Sequence, residues 1–321
     1  MNRRSFLRIA GLSLGAGALY QVAPLAAAAD RRVARANGEA VSPFTFVQMS
    51  DTHVGFRGPP DPLGTKAFER AVETVNRLRP RPDLILFTGD LTHDSEDQGE
   101  RVARMKTFRE IAGRLRVRTV KMVPGEHDAG IDQGALYRET FGETSYSFDH
   151  RGVHFVALDN VSRARPEVGA ERIAWLERDL ARFPKTAPIV VFTHRPLFDL
   201  KPEWEWFTSD GDAVLNVLSR HEHVTVLYGH IHREDEHEAG GIRHWAARSL
   251  VFAFPDPEKV ADKKPVPFDP VHPFRNLGIR VVSAPGRAAG GAGLGKDEVE
   301  LTRQEHSGTE GMVQLVKAST L

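Results

Sequence analysis

Five strand-like runs in this chain each end on a residue that can hold a metal ion or move a proton. That pattern limits the fold more than any other feature. Phe44 to Ser50 leads into Asp51-Thr52-His53, and Leu84 to Thr88 into Gly89-Asp90. Thr119 to Pro124 leads into Gly125-Glu126-His127-Asp128, and Ile189 to Thr193 into His194. Val224 to Tyr228 leads into Gly229-His230-Ile231-His232. Each run is short, apolar and β-branched, as a buried strand requires. Helical spacing fills much of the chain between them. Thr65 to Leu78 puts Phe68, Val72 and Val75 on one face, and Glu167 to Phe183 does the same with Ile173, Leu176 and Leu180. Gln98 to Arg114, a short segment within Ile131 to Phe141, and Asp210 to Ser219 also read as helices, with Asp210 as an N-cap. Strands alternating with helices predict an α/β fold, whose ligands gather beyond the C-terminal ends of the strands.

Later segments break the purely parallel plan. Tyr146 to Phe148 and Val153 to Leu158 read as paired strands, and Ile242 to Ala246 and Ser249 to Phe254 as returning strands. Ile279 to Val282 and Met312 to Val316 add two more, so a second sheet is expected to close against the first. Pro255 to Pro273 and the Gly/Ala-rich Gly286 to Gly295 read as loops, the latter mobile.

The strand-end residues assemble into a two-metal site. Asp51 and His53 are two apart, so an extended backbone sends both to one side. Asp90 stands alone after Gly89, and its two oxygens can bridge two ions. One ion would take Asp51, His53, Asp90 and His232, and the other Asp90, Glu126, His194 and His230. Carboxylate and imidazole donors suit borderline or harder divalent cations. Water activated between two such ions becomes hydroxide near neutral pH and can attack phosphorus in line with the leaving group. His127 would stabilise transition-state charge or protonate the leaving oxygen, with Asp128 orienting it. The chain has no cysteine, which excludes thiolate ligands, cysteine nucleophiles and disulfides. Lys plus Arg and Asp plus Glu are equal at 43, and no dense basic run occurs, so no nucleic acid partner is indicated.

Candidate substrate contacts surround these residues. Arg57 lies in the Gly/Pro-rich loop from Gly55 to Gly64, at the expected mouth. His93 either contacts phosphate or is a solvated loop residue. Trp204 and Trp206, with Phe207, either wall the substrate or pack as a lid.

Taken together, these motifs resemble the calcineurin-like metallophosphoesterase superfamily, in order, across roughly residues 44 to 250. The chain is most similar to the smaller bacterial branch that includes cyclic-nucleotide phosphodiesterases. The resemblance implies a four-layer α/β/β/α sandwich, a dinuclear centre of Fe, Mn or Zn ions, and a small phosphoester substrate. A phosphodiester or nucleotide is favoured over a phosphomonoester. The alternative class is a non-catalytic, metal-stabilised envelope binding protein. One departure stands out: the family usually has Asn where this chain has Glu126. Two divalent ions against Asp51, Asp90 and Glu126 leave a formal charge of +1 instead of +2, and a ferric ion paired with a divalent one would restore the difference.

The first residues speak to compartment. Asn2 to Arg8 is basic, Ile9 to Tyr20 is apolar and contains three glycines, and Ala26 to Ala29 offers small residues for cleavage. Arg3-Arg4 before Phe6-Leu7 resembles a twin-arginine export signal, which implies the twin-arginine machinery as partner and a periplasmic or extracellular location. An uncleaved anchor is the alternative, although the apolar part is short for a membrane span. The expected plan is an export signal over 1–29, a flexible lead-in over 30–42, and one metallophosphoesterase domain over 43–321. Oligomeric state has no signature.

Overall fold

The computed structural model describes residues 42–284 and 294–301. The five predicted strands divide between two sheets. In the first, β1 (Phe44–Met49), β2 (Leu84–Thr88) and β3 (Thr119–Val123) run parallel, and β10 (Gly278–Ala284) and β11 (Gly295–Glu300) extend the β1 side antiparallel, in the order β11-β10-β1-β2-β3. The second sheet holds β4 (Tyr146–His150), β5 (Val153–Ala157), β6 (Pro188–Phe192), β7 (His223–Tyr228), β8 (Asp235–Ala239) and β9 (Ile242–Ala246). Its order is β4-β5-β6-β7-β9-β8, with a parallel centre and antiparallel edges.

Period-two alternation in the central strands decides the layers. Phe44 and Phe46 of β1, Leu84 and Leu86 of β2, Phe155 of β5 and Phe192 of β6 meet in one core between the sheets. The intervening residues point outward. Val47, Met49, Ile85 and Phe87 pack under helices α1 (Lys66–Arg77) and α2 (Gln98–Ala112), where the Phe68 and Phe108 rings stack at 5.3 Å. On the far side, Val156, Ile189, Val191 and Val226 pack under α5 (Ala170–Leu180) and α6 (Gly211–Leu218). Each such buried side chain contributes about 1.5–3 kcal/mol relative to exposure. The result is the expected four-layer α/β/β/α sandwich. Two short helices, α3 (Glu126–Ala129) and α4 (Ala135–Phe141), follow β3.

The structure corrects several local readings. Ser249 to Phe254 forms no strand; Leu250 instead donates its N–H to the carbonyls of Ser50 and Asp51 at 3.2 and 3.1 Å, which fastens this segment beneath the loop after β1. Asp210 holds the N-cap position of α6 as expected, but its side chain makes no capping bond there: the carboxylate accepts the Val168 and Gly169 N–H groups at 2.9 and 2.7 Å, at the entrance to α5. Strands β8 and β11 were not expected. Residues 1–29, the lead-in over 30–41, residues 312–316 and most of 286–295 lie outside the described residues. No helix among the described residues is long and apolar enough to cross a membrane.

Candidate metal centre

The loops after β1, β2 and β3 in one sheet meet those after β6 and β7 in the other. They bring Asp51, His53, Asp90 and His232 into one group and Asp90, Glu126, His194 and His230 into a second, each with donor atoms within 4.8 Å of one another. Asp90 is common to both. Its Oδ2 lies 3.3 Å from His53 Nε2 and 3.4 Å from His194 Nε2. In the first group His232 Nε2 is 3.1 Å from His53 Nε2 and 3.5 Å from Asp51 Oδ1. In the second, Glu126 reaches His194 Nε2 with Oε2 and His230 Nδ1 with Oε1, each at 2.8 Å.

The backbone is strained to achieve this. Asp51, His53, Asp90, His230 and His232 all have positive φ, between 40° and 66°, a region that side-chain-bearing residues rarely occupy. Such strain clusters where function fixes geometry. The neighbouring glycines are required by space. A Cβ on Gly125 would lie 2.0 Å from Asp90 Oδ1, and one on Gly229 would lie 1.9 Å from Ser50 Oγ.

Backbone carbonyls set the imidazole tautomers. His194 donates from Nδ1 to Thr88 O at 2.7 Å, and His232 from Nδ1 to Phe252 O at 2.9 Å. His230 donates from Nε2 to Glu205 O at 3.1 Å. His230 and His232 thus turn their other nitrogen, with a free lone pair, toward the carboxylates. Burial pushes His53 well below the usual histidine range, His230 down to about 4 and His232 down to about 3, so these rings are neutral at pH 7. Burial also raises Asp51 to about 7. His194 behaves oppositely: burial opposes its charge, yet Asp90 and Glu126 hold its proton well above the ordinary range. The buried atoms His194 Nε2 and Glu126 Oε2 face each other at 2.8 Å. Three carboxylates converging with neutral imidazoles in a buried pocket call for positive charge between them. The donor set fits two metal ions.

His127 lies beside this cluster, but its partner is not the expected one. Its Nδ1 faces Asp94 Oδ1 at 2.8 Å. Burial opposes the imidazolium, while Asp90 and the Asp94 hydrogen bond favour it, and the balance raises His127 to about 9. Asp128 instead accepts N–H groups from Leu91, Thr92 and Gly125 at 2.8–3.0 Å, tying the β2 loop to the β3 loop. Consecutive residues of a helical turn point about 100° apart, which carries Asp128 away from the ring before it. His93 is drawn into the site: its ring stacks on His127 with centroids 4.6 Å apart, and its Nδ1 is 3.2 Å from His53 Nδ1.

Arg57 is exposed and its charge acts on Glu100 of α2; Phe56 is the residue of that loop whose ring meets His93, edge-on at 5.1 Å. Of the two readings of Trp204 and Trp206, packing on the domain is the one their burial fits. The two residues are 3% and 0% exposed, packed edge-to-face at 4.8 Å with Phe254 behind them. What their loop presents to the site is the carbonyl of Glu205, which also accepts Arg195 Nη1 at 2.8 Å. Asp94, Arg195 and Glu205 were not foreseen. For Arg195 the one available signal was a cation directly following His194.

A sequence profile of the calcineurin-like phosphoesterases matches residues 44–234. The chain is 30% identical over 234 residues to a probable cyclic nucleotide phosphodiesterase of Rhodopseudomonas palustris, covering 64% of this chain and 81% of that one. It is 27% identical over 201 residues to a probable glycerophosphodiester phosphodiesterase of Arcobacter nitrofigilis, covering 58% and 71%. It is 27% identical over 226 residues to a serine/threonine-protein phosphatase of Danio rerio, covering 62% and 72%. Among solved structures, a dimetal phosphatase from Danio rerio superposes with a TM-score of 0.54 at 15% identity, over 78% of this chain and 98% of that one. A purple acid phosphatase from yellow lupin gives 0.59 at 12% identity, over 81% and 52%. These two likenesses are of fold.

Proposed function

The chain belongs to the calcineurin-like phosphoesterase family and is a metal-dependent phosphoric ester hydrolase, and we propose that it cleaves a phosphodiester of nucleotide or glycerol type. The observation that carries the hydrolytic reading is the pair of donor groups sharing Asp90. Asp51, His53, Asp90 and His232 would hold one ion, and Asp90, Glu126, His194 and His230 the other. When bound, the two cations supply Lewis acidity toward the phosphoryl oxygens and make water acidic enough to act near neutral pH. His127, kept protonated by Asp94 and Asp90, stands ready to give a proton to the departing oxygen. His93, stacked on it, limits the ring's rotation.

Two names among the relatives, the cyclic nucleotide and glycerophosphodiester phosphodiesterases, favour a diester. The phosphatase relative keeps a monoester as the second reading. A panel of bis-p-nitrophenyl phosphate, p-nitrophenyl phosphate, cyclic nucleotides and glycerophosphodiesters, each with Mn, Zn or Fe, separates them. The diester reading predicts higher kcat/KM on bis-p-nitrophenyl phosphate than on p-nitrophenyl phosphate, and the reverse order overturns it. Absence of turnover under every metal would favour the binding-protein alternative. Metal analysis of protein purified without added metal distinguishes a divalent pair from a mixed ferric and divalent one.

The same proposal places the protein outside the cytoplasm, delivered by the twin-arginine machinery, with residues 1–29 as the signal. The support is Arg3-Arg4 followed by the apolar run and Ala26 to Ala29. N-terminal sequencing of envelope-fraction protein tests it; an intact Met1 on protein confined to the cytoplasm sinks it.

A further inference from the structure

Glu126 brings a third carboxylate to the centre, and the structure supplies a cation to match it. Arg195 is 8% exposed. Its Nη2 lies 3.3 Å from Glu126 Oε1, and its Nη1 donates to the Glu205 carbonyl at 2.8 Å. That carbonyl is held firmly. Glu205 has a φ of 61°, between the buried rings of Trp204 and Trp206, and the same oxygen accepts His230 Nε2 at 3.1 Å. One carbonyl therefore orients both Arg195 and His230, and both converge on Glu126 Oε1. The other carboxylate oxygen, Oε2, is buried and faces His194 Nε2 at 2.8 Å.

We propose that Arg195 is the positioning and charge-balancing partner of Glu126, holding Oε1 so that Oε2 is presented to the second cation and offsetting the charge that Glu126 adds. This rests on the dinuclear reading above. Two divalent cations against Asp51, Asp90 and Glu126 have a formal charge of +1, and Arg195 raises it to +2. An uncharged amide at 126 without the arginine gives the same +2. Lys263, which donates to Trp204 O at 2.9 Å, is another cation nearby and is constant in this comparison. In this assignment Glu126 and Arg195 form one exchangeable unit that sets the attraction of the centre for an anionic ester. The buried tryptophans serve that unit through the Glu205 carbonyl.

The test compares wild type, Glu126→Asn, Arg195→Gln and the double variant, each loaded with two equivalents of Mn, verified by metal analysis, and titrated calorimetrically with inorganic phosphate. A full charge removed several ångströms from a partly buried anion changes its affinity by about tenfold or more. Arg195→Gln should weaken phosphate binding by about that factor and Glu126→Asn should tighten it. The double variant should return to within about threefold of wild type. Arg195→Lys, which keeps the charge, should stay near wild type. If the double variant binds phosphate as poorly as Arg195→Gln, the arginine contacts the anion directly and the proposal is overturned. Equal affinities in all four proteins, or loss of one ion in Glu126→Asn, also overturn it. Thermal unfolding of the same four proteins under chelation measures the Glu126–Arg195 coupling without metal. A wild type that takes up no second ion, yet shows that coupling, faults the dinuclear reading and not the pairing.

Discussion

His127 directs Nδ1 at Asp94, 2.8 Å away in the loop after β2, although Asp128 adjoins it in the chain. The two acids should therefore fail differently. Asp94→Asn removes the charge that keeps the imidazole protonated and oriented, and should lower kcat by roughly 100-fold, in the range of general acid–base effects, with both metals retained. Asp128→Asn loses a carboxylate that accepts three backbone N–H groups, and should cost roughly 2 kcal/mol of stability as hydrogen bonds to a charged group weaken. Steady-state kinetics, metal content and urea unfolding of both variants separate the roles. Identical behaviour of the pair would refute the assignment.

That contrast marks where sequence reading reached and where it stopped. The seven candidate ligands were legible because each sits just beyond the C-terminal end of a central strand, where local pattern alone fixes the position. Asp94, Arg195 and the Glu205 carbonyl act through space, across segments whose mutual orientation is set by packing. Trp204 and Trp206 could be read as lid or wall from sequence, and only burial separates the two. The central strands were legible from their apolar runs. β8, with Asp235-Glu236-His237-Glu238, is a charged sheet edge, as edges must be to resist further pairing, and so carries no hydrophobic signature. Ser249 to Phe254 shows the converse: Leu250 joins the core under α1 and α2 and Phe254 packs against Trp206, with no ladder.

Metal stoichiometry should follow the two donor groups. His232→Ala should lose one ion, His194→Ala the other, and Asp90→Asn should impair both, because only Asp90 belongs to each group. Chelation of wild type should lower its stability. At a free metal concentration 100 times Kd the expected loss is about 2.7 kcal/mol per site. Metal analysis after gel filtration, paired with thermal unfolding, reads both effects. Full occupancy of two ions in Asp90→Asn would count against the bridging role.

The glycines of the motifs should behave as parts of the centre. Gly125→Ala and Gly229→Ala would set a methyl group 2.0 Å from Asp90 Oδ1 and 1.9 Å from Ser50 Oγ. Relief requires the carboxylate or hydroxyl to shift, so metal content should fall and stability should drop by roughly 1–3 kcal/mol, the usual result of overpacking. Gly64→Ala is the control. It has positive φ but nothing within 4 Å of the added Cβ, so it should carry only backbone strain of about 1–2 kcal/mol. Metal content should stay normal. If Gly125→Ala and Gly64→Ala retain metal equally, the close approach at Gly125 has no bearing on the site.

The acid limb of stability should depend on a histidine outside the metal centre. His244 in β9 is fully buried, donates from Nδ1 to Ile242 O at 2.9 Å, and leaves Nε2 without a partner. The Phe198 ring lies edge-on to it at 5.1 Å, and His237 is opposite it on β8. Burial first, and then the charge of His237, lower His244 to about 4. Its folded value is thus below its unfolded value, so the unfolded chain binds the extra proton over this interval and stability rises with pH. The contribution is complete above about pH 6.5 and is lost as pH falls toward 4, by roughly 2–3 kcal/mol. His244→Leu removes the titrating group and should flatten that part of the profile, even if it lowers stability at pH 7. Urea unfolding of both proteins at pH 7 and pH 4.5, with chelator throughout so that the metal ligands do not contribute through binding, measures the difference. An equal loss in both proteins over this interval would assign the acid sensitivity to other groups.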